Sequence, residues 1–397
     1  MKSSVKKIIA NTIEQHNEEL RAISIKIHDN PELGNREFDA FRLLTDYLET
    51  KGFKVTRGVA GLETGFIAEY SNSDKGRRVG FCSEYDALPG VGHGCGHNLI
   101  AITGLACALA IKALFDHKIT KGTVVLFGTP AEESTSGKIT YVLNNEVQSR
   151  VDAALMLHPM ATDSLYARFL ALDSLKVEFF GRASHAGMAP WNGINAVDAL
   201  MQGWDNMSMM RQQTLSSNRI HGIITDGGKS ANVIPDYASA AFYARSLTRD
   251  QLVELKVKLE NCFKAAAIST GCEVKLTWAA SGPIEDVFQN DTLTSAYREY
   301  MEEEGIKFAT RVEEEQIVSG STDMGNITHV IPATHPCFGI HTTATNHTYE
   351  FAEAAGTEQA HYDALLASRC LARAAADVLL DSAVLKSAVA DFKKGKQ

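Results

Sequence analysis

The chain has no stripe of lysine or arginine. Acidic residues outnumber basic ones for a formal net charge of -9, which argues against a nucleic-acid partner, since phosphate binding needs a basic footprint. The basic cluster Lys393-Lys394-Gly395-Lys396 reads as a solvated tail. Disulfide frameworks are also missing. The seven cysteines are odd in number and scattered, which points to reduced thiols and a cytoplasmic protein. The apolar run within Met1–Ala10 is too short for a signal segment, and Asn11–Glu19 is polar. No apolar stretch is expected to span a membrane. Internal repeats and low-complexity segments are absent. What remains is the composition of an ordinary globular protein, 45% hydrophobic and 22% charged over 397 residues, enough for two domains or one large one.

Hydrophobic periodicity predicts a helix over 5–29, stopped by Pro31, and another over 39–51, ended by Gly52. Short apolar strands are expected at 78–83, 123–128 and 151–157, with helices near 98–116 and 137–147 between them. Strands alternating with helices indicate an α/β domain with a mixed, largely parallel sheet. From residue 172 the order becomes β-α-β-β-α-β, with strands near 172–181, 220–225, 238–246 and 272–278 and helices near 194–213 and 249–270. That is the ferredoxin-like arrangement. The expected organisation is a discontinuous catalytic domain, 1–171 and 284–397, with an inserted α+β lid or dimerisation domain at 172–283.

The chemistry concentrates in Glu84-Tyr-Asp-Ala-Leu-Pro-Gly-Val-Gly-His-Gly-Cys-Gly-His-Asn98. Cys95 and His97 form a compact clamp for a soft metal, and the glycines let backbone fold tightly around an ion. The same tripeptide also reads as a buried Cys and a hydrogen-bonded His. Asp86 is placed to orient a ligating imidazole, or simply to form a turn before Pro89-Gly90. In Glu132-Glu133 one carboxylate can bind metal while its neighbour takes a proton from water. Alone, that pair also reads as the acidic start of a helix. His158 at a strand end and His347 in Ala344-Thr-Asn-His-Thr are weak signals singly. Each suspected ligand nevertheless lies beyond the carboxyl end of a strand or in a late loop, where open α/β sheets carry their sites. A Cys95 nucleophile with His97 as base is a competing chemistry, but the one-residue spacing suits co-ligation better.

With these motifs in order, the chain resembles the metallopeptidase and amidohydrolase family of aminoacylases and glutamate carboxypeptidases. It is most similar to the Cys-Gly-His branch of hippurate and auxin-conjugate hydrolases. Within it, the long motif looks like that of the p-aminobenzoyl-glutamate hydrolase and β-alanyl-lysine dipeptidase group. The likeness runs from Pro31-Glu-Leu-Gly34 to about Ala367. One departure is Asn98, where many relatives carry Asp after Cys-Gly-His.

The resemblance implies two divalent ions per chain held by Cys95, His97, Glu133, His158 and His347, with Glu132 as general base. Zinc is the first expectation, with manganese or cobalt admitted by mixed ligation. It further implies that His185, in Gly181-Arg-Ala-Ser-His-Ala-Gly, reaches a neighbouring subunit's site and stabilises an oxyanion. Asn232 and Arg245 would bind substrate; apart from the resemblance they read as a turn residue and a strand-end surface residue. Gly320-Ser-Thr-Asp323 is expected as a loop near the site or a helix cap. The implied activity is hydrolysis of an amide or peptide bond in a small N-acyl amino acid or dipeptide with a free carboxylate, by a homodimer without a nucleic-acid or membrane partner. A catalytically inactive ligand-binding or partner subunit on the same fold is the alternative; it would be marked by loss of the base or ligands, all of which are present.

Overall fold

The computed structural model describes residues 2–134 and 137–395. Met1, and Lys396 of the basic tail, lie outside the described residues. The chain divides into two compact units. The first holds the chain up to Arg168, Val287–Ser319 and everything from Asp323 on; the second holds Phe169–Asp286 and Gly320–Thr322.

The first unit is built on a mixed sheet whose strands run, edge to edge, Lys54–Arg57, Phe66–Ser71, Gly122–Gly128, Arg77–Ser83, Ala153–Leu155 and Ala333–Thr334. The last four are mutually parallel, and the two at the first edge pair antiparallel. Across it lies the helix His97–Asp116, rich in Ala, Leu and Ile and buried along nearly its whole length. By length and composition this helix could cross a membrane, contrary to the expectation that no stretch was long enough, but 89% of its apolar window is buried in the unit. Helices Lys2–Gln15, Asn17–Asp29 and Glu358–Leu380 pack around it. A helix apolar on every side needs such partners on every side.

Three local expectations change. The helix over 5–29 divides at His16, which leaves the helical region at φ -101°, ψ 3°; His and Asn in succession are weak helix formers. The helix from Gly137 ends at Leu143, not 147. The strand over 151–157 shortens to Ala153–Leu155, and a second short strand, His158–Met160, pairs in parallel with Cys337–Gly339. His158 therefore opens a strand of its own.

The second unit has the order Ala171–Phe180, helix Ala196–Met210, Arg219–Asp226, Tyr237–Ser246, helix Arg249–Thr270, Glu273–Trp278. Its four strands are antiparallel, with the last next to the first, then the third and the second. That is the ferredoxin-like arrangement. Leu200, Met207, Leu255, Leu259 and Phe263 from the two helices meet Val177, Phe179, Ala240 and Phe242 from the sheet in a separate core. All seven cysteines of the chain are free.

Candidate metal centre

Gly96 sets the geometry of the clamp. It adopts the left-handed conformation, φ 76°, immediately before the helix beginning at His97. A Cβ there would lie 2.5 Å from the Pro159 ring, so both the turn and the close approach require glycine. Cys95 and His97 are thereby carried to the helix start, and both are buried. Cys95 Sγ lies 3.4 Å from His158 Nε2. His158 Nδ1 is 2.9 Å from its neighbour's carbonyl at Pro159, which places the proton on Nδ1 and turns the Nε2 lone pair toward the thiol.

His97 is oriented in the same way. Its Nδ1 is 3.1 Å from Asp86 Oδ1, while the other Asp86 oxygen accepts the Glu133 backbone N–H at 2.9 Å. One carboxylate thus orients a ring and a neighbouring loop together. His97 Nε2 faces Glu84 Oε2 at 3.3 Å, Glu133 Oε1 at 3.9 Å and Glu132 Oε2 at 4.0 Å. His347 Nε2 closes the arc 3.5 Å from Glu133 Oε1. The donor atoms fall into three overlapping clusters, Cys95–His97–His158, Cys95–Glu133–His347 and Glu84–His97–Glu132, each with its ligand atoms within 4.8 Å of one another.

The electrostatics describe an excess of negative charge. Burial, and next the Glu133 carboxylate, push the Cys95 thiol up. Burial, then Glu84 and Glu133, push Glu132 well above the usual carboxyl range. Burial opposes charge on His97, yet Cys95, Glu84 and Asp86 outweigh it and hold the imidazole pKa well above its ordinary value. His158 is held down at about 4, mainly by burial. Glu84 Oε2, His97 Nε2 and Glu133 Oε1 are buried with no hydrogen-bond partner. Buried polar atoms are rarely left so, and here three converge. Soft and hard donors, crowded acids and unpartnered lone pairs together fit divalent cations.

Several contributors carried no signal at the sequence level. Glu84 enters the cluster directly. Glu37, buried, accepts the Ala131 N–H at 2.8 Å and the Thr64 hydroxyl at 2.8 Å. It thereby pins the loop before Glu132, where Ala131 sits at φ 59°, a strained conformation for a residue with a side chain. Asp323 precedes the short helix Met324–Thr328 without capping it; its carboxylate goes to Lys138. Asn98 explains its own departure from the motif: its amide donates to Ser24 Oγ at 3.0 Å and to the Ala355 carbonyl at 2.9 Å, two bonds that a carboxylate cannot donate.

In the second unit, His185 and Asn232 meet across one short bridge, in which Asn232's carbonyl accepts the Ala186 N–H at 2.9 Å and His185 pairs with Val233. His185 Nδ1 accepts from the N–H groups of Gly187 and Met188 at 3.2 and 3.1 Å, so its Nε2–H is the free donor. Arg245 is not part of that bridge. It lies on the strand Tyr237–Ser246, half-buried, and donates to Ser321 Oγ at 3.0 Å.

The description "Peptidase family M20/M25/M40" fits residues 80–367. The chain belongs to this family. The M20 chain is 37% identical to the Xaa-Arg dipeptidase of Mus musculus over 98% of its own length and 92% of that protein's. It is 27% identical to a p-aminobenzoyl-glutamate hydrolase polypeptide of Escherichia coli (strain K12), over 96% and 93% of the two chains. Among solved structures, it matches a putative aminohydrolase from methicillin-resistant Staphylococcus aureus with TM-score 0.76, at 17% identity over 94% of this chain and all of that one. It also matches a dinuclear metal binding peptidase of the M20 family from Bacillus subtilis with TM-score 0.68, at 20% identity over 92% and 99%. These two likenesses concern the fold. The M20 chain is an enzyme, a hydrolase of amide or peptide bonds in a metal-dependent family.

Proposed function

We propose that the chain hydrolyses a dipeptide or N-acyl amino acid whose released part carries a free carboxylate, and that it belongs with the Cys-Gly-His branch of its family. The convergence of the unpartnered Glu84, His97 and Glu133 atoms carries the metal-site part of this reading. Cys95, His97, Glu133, His158 and His347 are the ligands, for two divalent ions. Zinc comes first because of the thiolate, with manganese or cobalt next. When bound, the ions polarise a carbonyl and acidify water. Glu132 takes the water's proton and passes it to the leaving amine. Its adjacent partner Glu133 is occupied by ligation, and burial and neighbouring acids already favour a proton on Glu132. Asp86 keeps His97 and Glu133 in register.

The Nε2–H of His185 is the oxyanion donor, with Asn232 beside it as a substrate contact. Arg245 clamps the substrate carboxylate, a task suited to a planar guanidinium. The segment 172–283 acts as lid and dimerisation domain, and His185 serves the partner's site. Free cysteines support a cytoplasmic location. The name of the 37% identical relative directs the first assays to dipeptides ending in Arg or Lys, beside N-acyl amino acids. The decisive assay screens metal-loaded protein against that panel; no cleavage of any member would sink the reading. The dimer claim is checked by mixing inactive His185→Ala and Glu132→Ala chains. Confirmed heterodimers should recover activity, because one complete site is rebuilt; no recovery would mean His185 does not act across the dimer.

A further inference from the structure

Lys138 is fully buried, yet no step above uses it. It begins the helix Gly137–Leu143, and Asp323 holds it at two points. Asp323 Oδ2 accepts the Lys138 backbone N–H at 2.7 Å, and Oδ1 accepts from Nζ at 2.6 Å. Gly137 permits this approach: a Cβ there would meet the Pro130 carbonyl at 2.2 Å and Asp323 Oδ2 at 3.1 Å. The same ammonium donates to Glu84 Oε1. All three side chains are buried completely.

This is not a balanced structural pair. One cation faces two carboxylates, and Glu84 Oε2 is left buried without a hydrogen bond, 3.3 Å from His97 Nε2. A buried ion pair serving stability alone would satisfy its remaining lone pairs. Here one Glu84 oxygen is tied to a fixed cation while the other is presented to the ligand cluster Glu84–His97–Glu132. The anchor comes from Asp323, distant in sequence, so the ammonium is held from both sides and cannot follow Glu84 if it turns.

We propose that Lys138 is a positioning residue of the metal centre, which holds Glu84 by one oxygen and limits what that carboxylate can give an ion. The inference rests on the metal-centre reading above. Lys138 and a divalent ion compete for the same carboxylate. Removing the ammonium frees the whole charge of Glu84 for the ion, so binding tightens. It also frees Glu84 to turn, so the arrangement around His97 and Glu132 is lost and turnover falls. Tighter metal with slower catalysis is a pairing that a merely structural lysine would not produce.

The test uses the full-length protein, with zinc affinity measured by competition against a chromophoric chelator, together with ion count, kcat and KM. Wild type must bind zinc; if it binds none, the metal-centre reading fails, independently of Lys138. Lys138→Met should bind its weaker ion roughly tenfold more tightly, the scale on which residues behind a ligand act, with kcat reduced and KM little changed. Glu84→Gln should bind more weakly. In the Glu84→Gln background the Lys138→Met change should move affinity hardly at all, since the competition has been removed. Unchanged or weakened affinity in Lys138→Met, or the same shift in both backgrounds, overturns the proposal. Should Lys138→Met fail to fold, Asp323→Asn loosens the anchor while keeping the lysine. It should shift affinity in the same direction by less, and no shift there overturns the proposal equally.

Discussion

The two units carry their functional residues in opposite ways. In the first, Cys95, His97, Glu132 and His158 are buried and are held by one another or by Asp86 and Glu84. In the second, His185 and Asn232 are exposed, and Arg245 is half-buried with one serine for company. A buried cluster of acids and imidazoles is organised before any substrate arrives, and its cost is offset by ions. Exposed residues keep their hydration until something covers them, so their contribution appears only in a complex. Variants in the first unit should therefore strike turnover and stability, and variants in the second should strike recognition.

The largest effect tests the buried side. Chelation should abolish activity, and Glu132→Gln should keep its metal ions while losing about a hundredfold or more in kcat. Loss of the ions along with activity would make Glu132 a ligand and erase the division of labour within Glu132-Glu133. On the exposed side, Arg245→Ala should lower kcat/KM by about 1.5–3 kcal/mol, the scale of a charge-assisted hydrogen bond, and Arg245→Lys should restore only part. Wild type should cleave carboxylate-amidated analogues poorly. If it handles acid and amide forms alike, Arg245 is no carboxylate clamp and the contrast between the units loses its recognition half.

Asn98→Asp sharpens the stability half. The carboxylate would lose both donated bonds, to Ser24 and Ala355, at a cost of about 1–3 kcal/mol for the buried groups left unpaired, read as a lower denaturation midpoint. An unchanged midpoint would show that the amide is not needed there. The smallest effect concerns His361, whose imidazole is held at about 4 by burial first and the Arg21 charge next. An unfolded histidine titrates near ~6.5. Between those values the unfolded chain binds more protons, so this group's stability is present above ~6.5 and is lost as pH falls toward 4. His361→Gln should flatten that acid-side fall by at most about 1.4 kcal/mol per pH unit. An identical slope in urea titrations across that window would contradict it.

The ligand set was legible where the donors sit close in sequence or at strand ends. Cys95 and His97 share one turn, and the adjacent Glu132 and Glu133 follow a strand, so spacing alone suggested one site. The ferredoxin-like segment was legible because its alternation of periods changes near residue 172. What escaped were the two edge strands Lys54–Arg57 and Phe66–Ser71, the division of the first long helix at His16, and the split of the chain around His158. In these stretches local propensity is weak and pairing partners decide the outcome.

Residue types at short spacing were enough to determine the donor set, the reaction class and the order of the elements, because ligand chemistry and hydrophobic period are local properties. Only the tertiary structure brought Glu84 to His97, Glu37 to Ala131, and Asp323 across to Lys138. A buried lysine looks like any surface lysine in a sequence. Its burial, and the two carboxylates that make it tolerable, follow from contacts between segments far apart in the chain, and the energetics of a desolvated charge depend on those contacts alone.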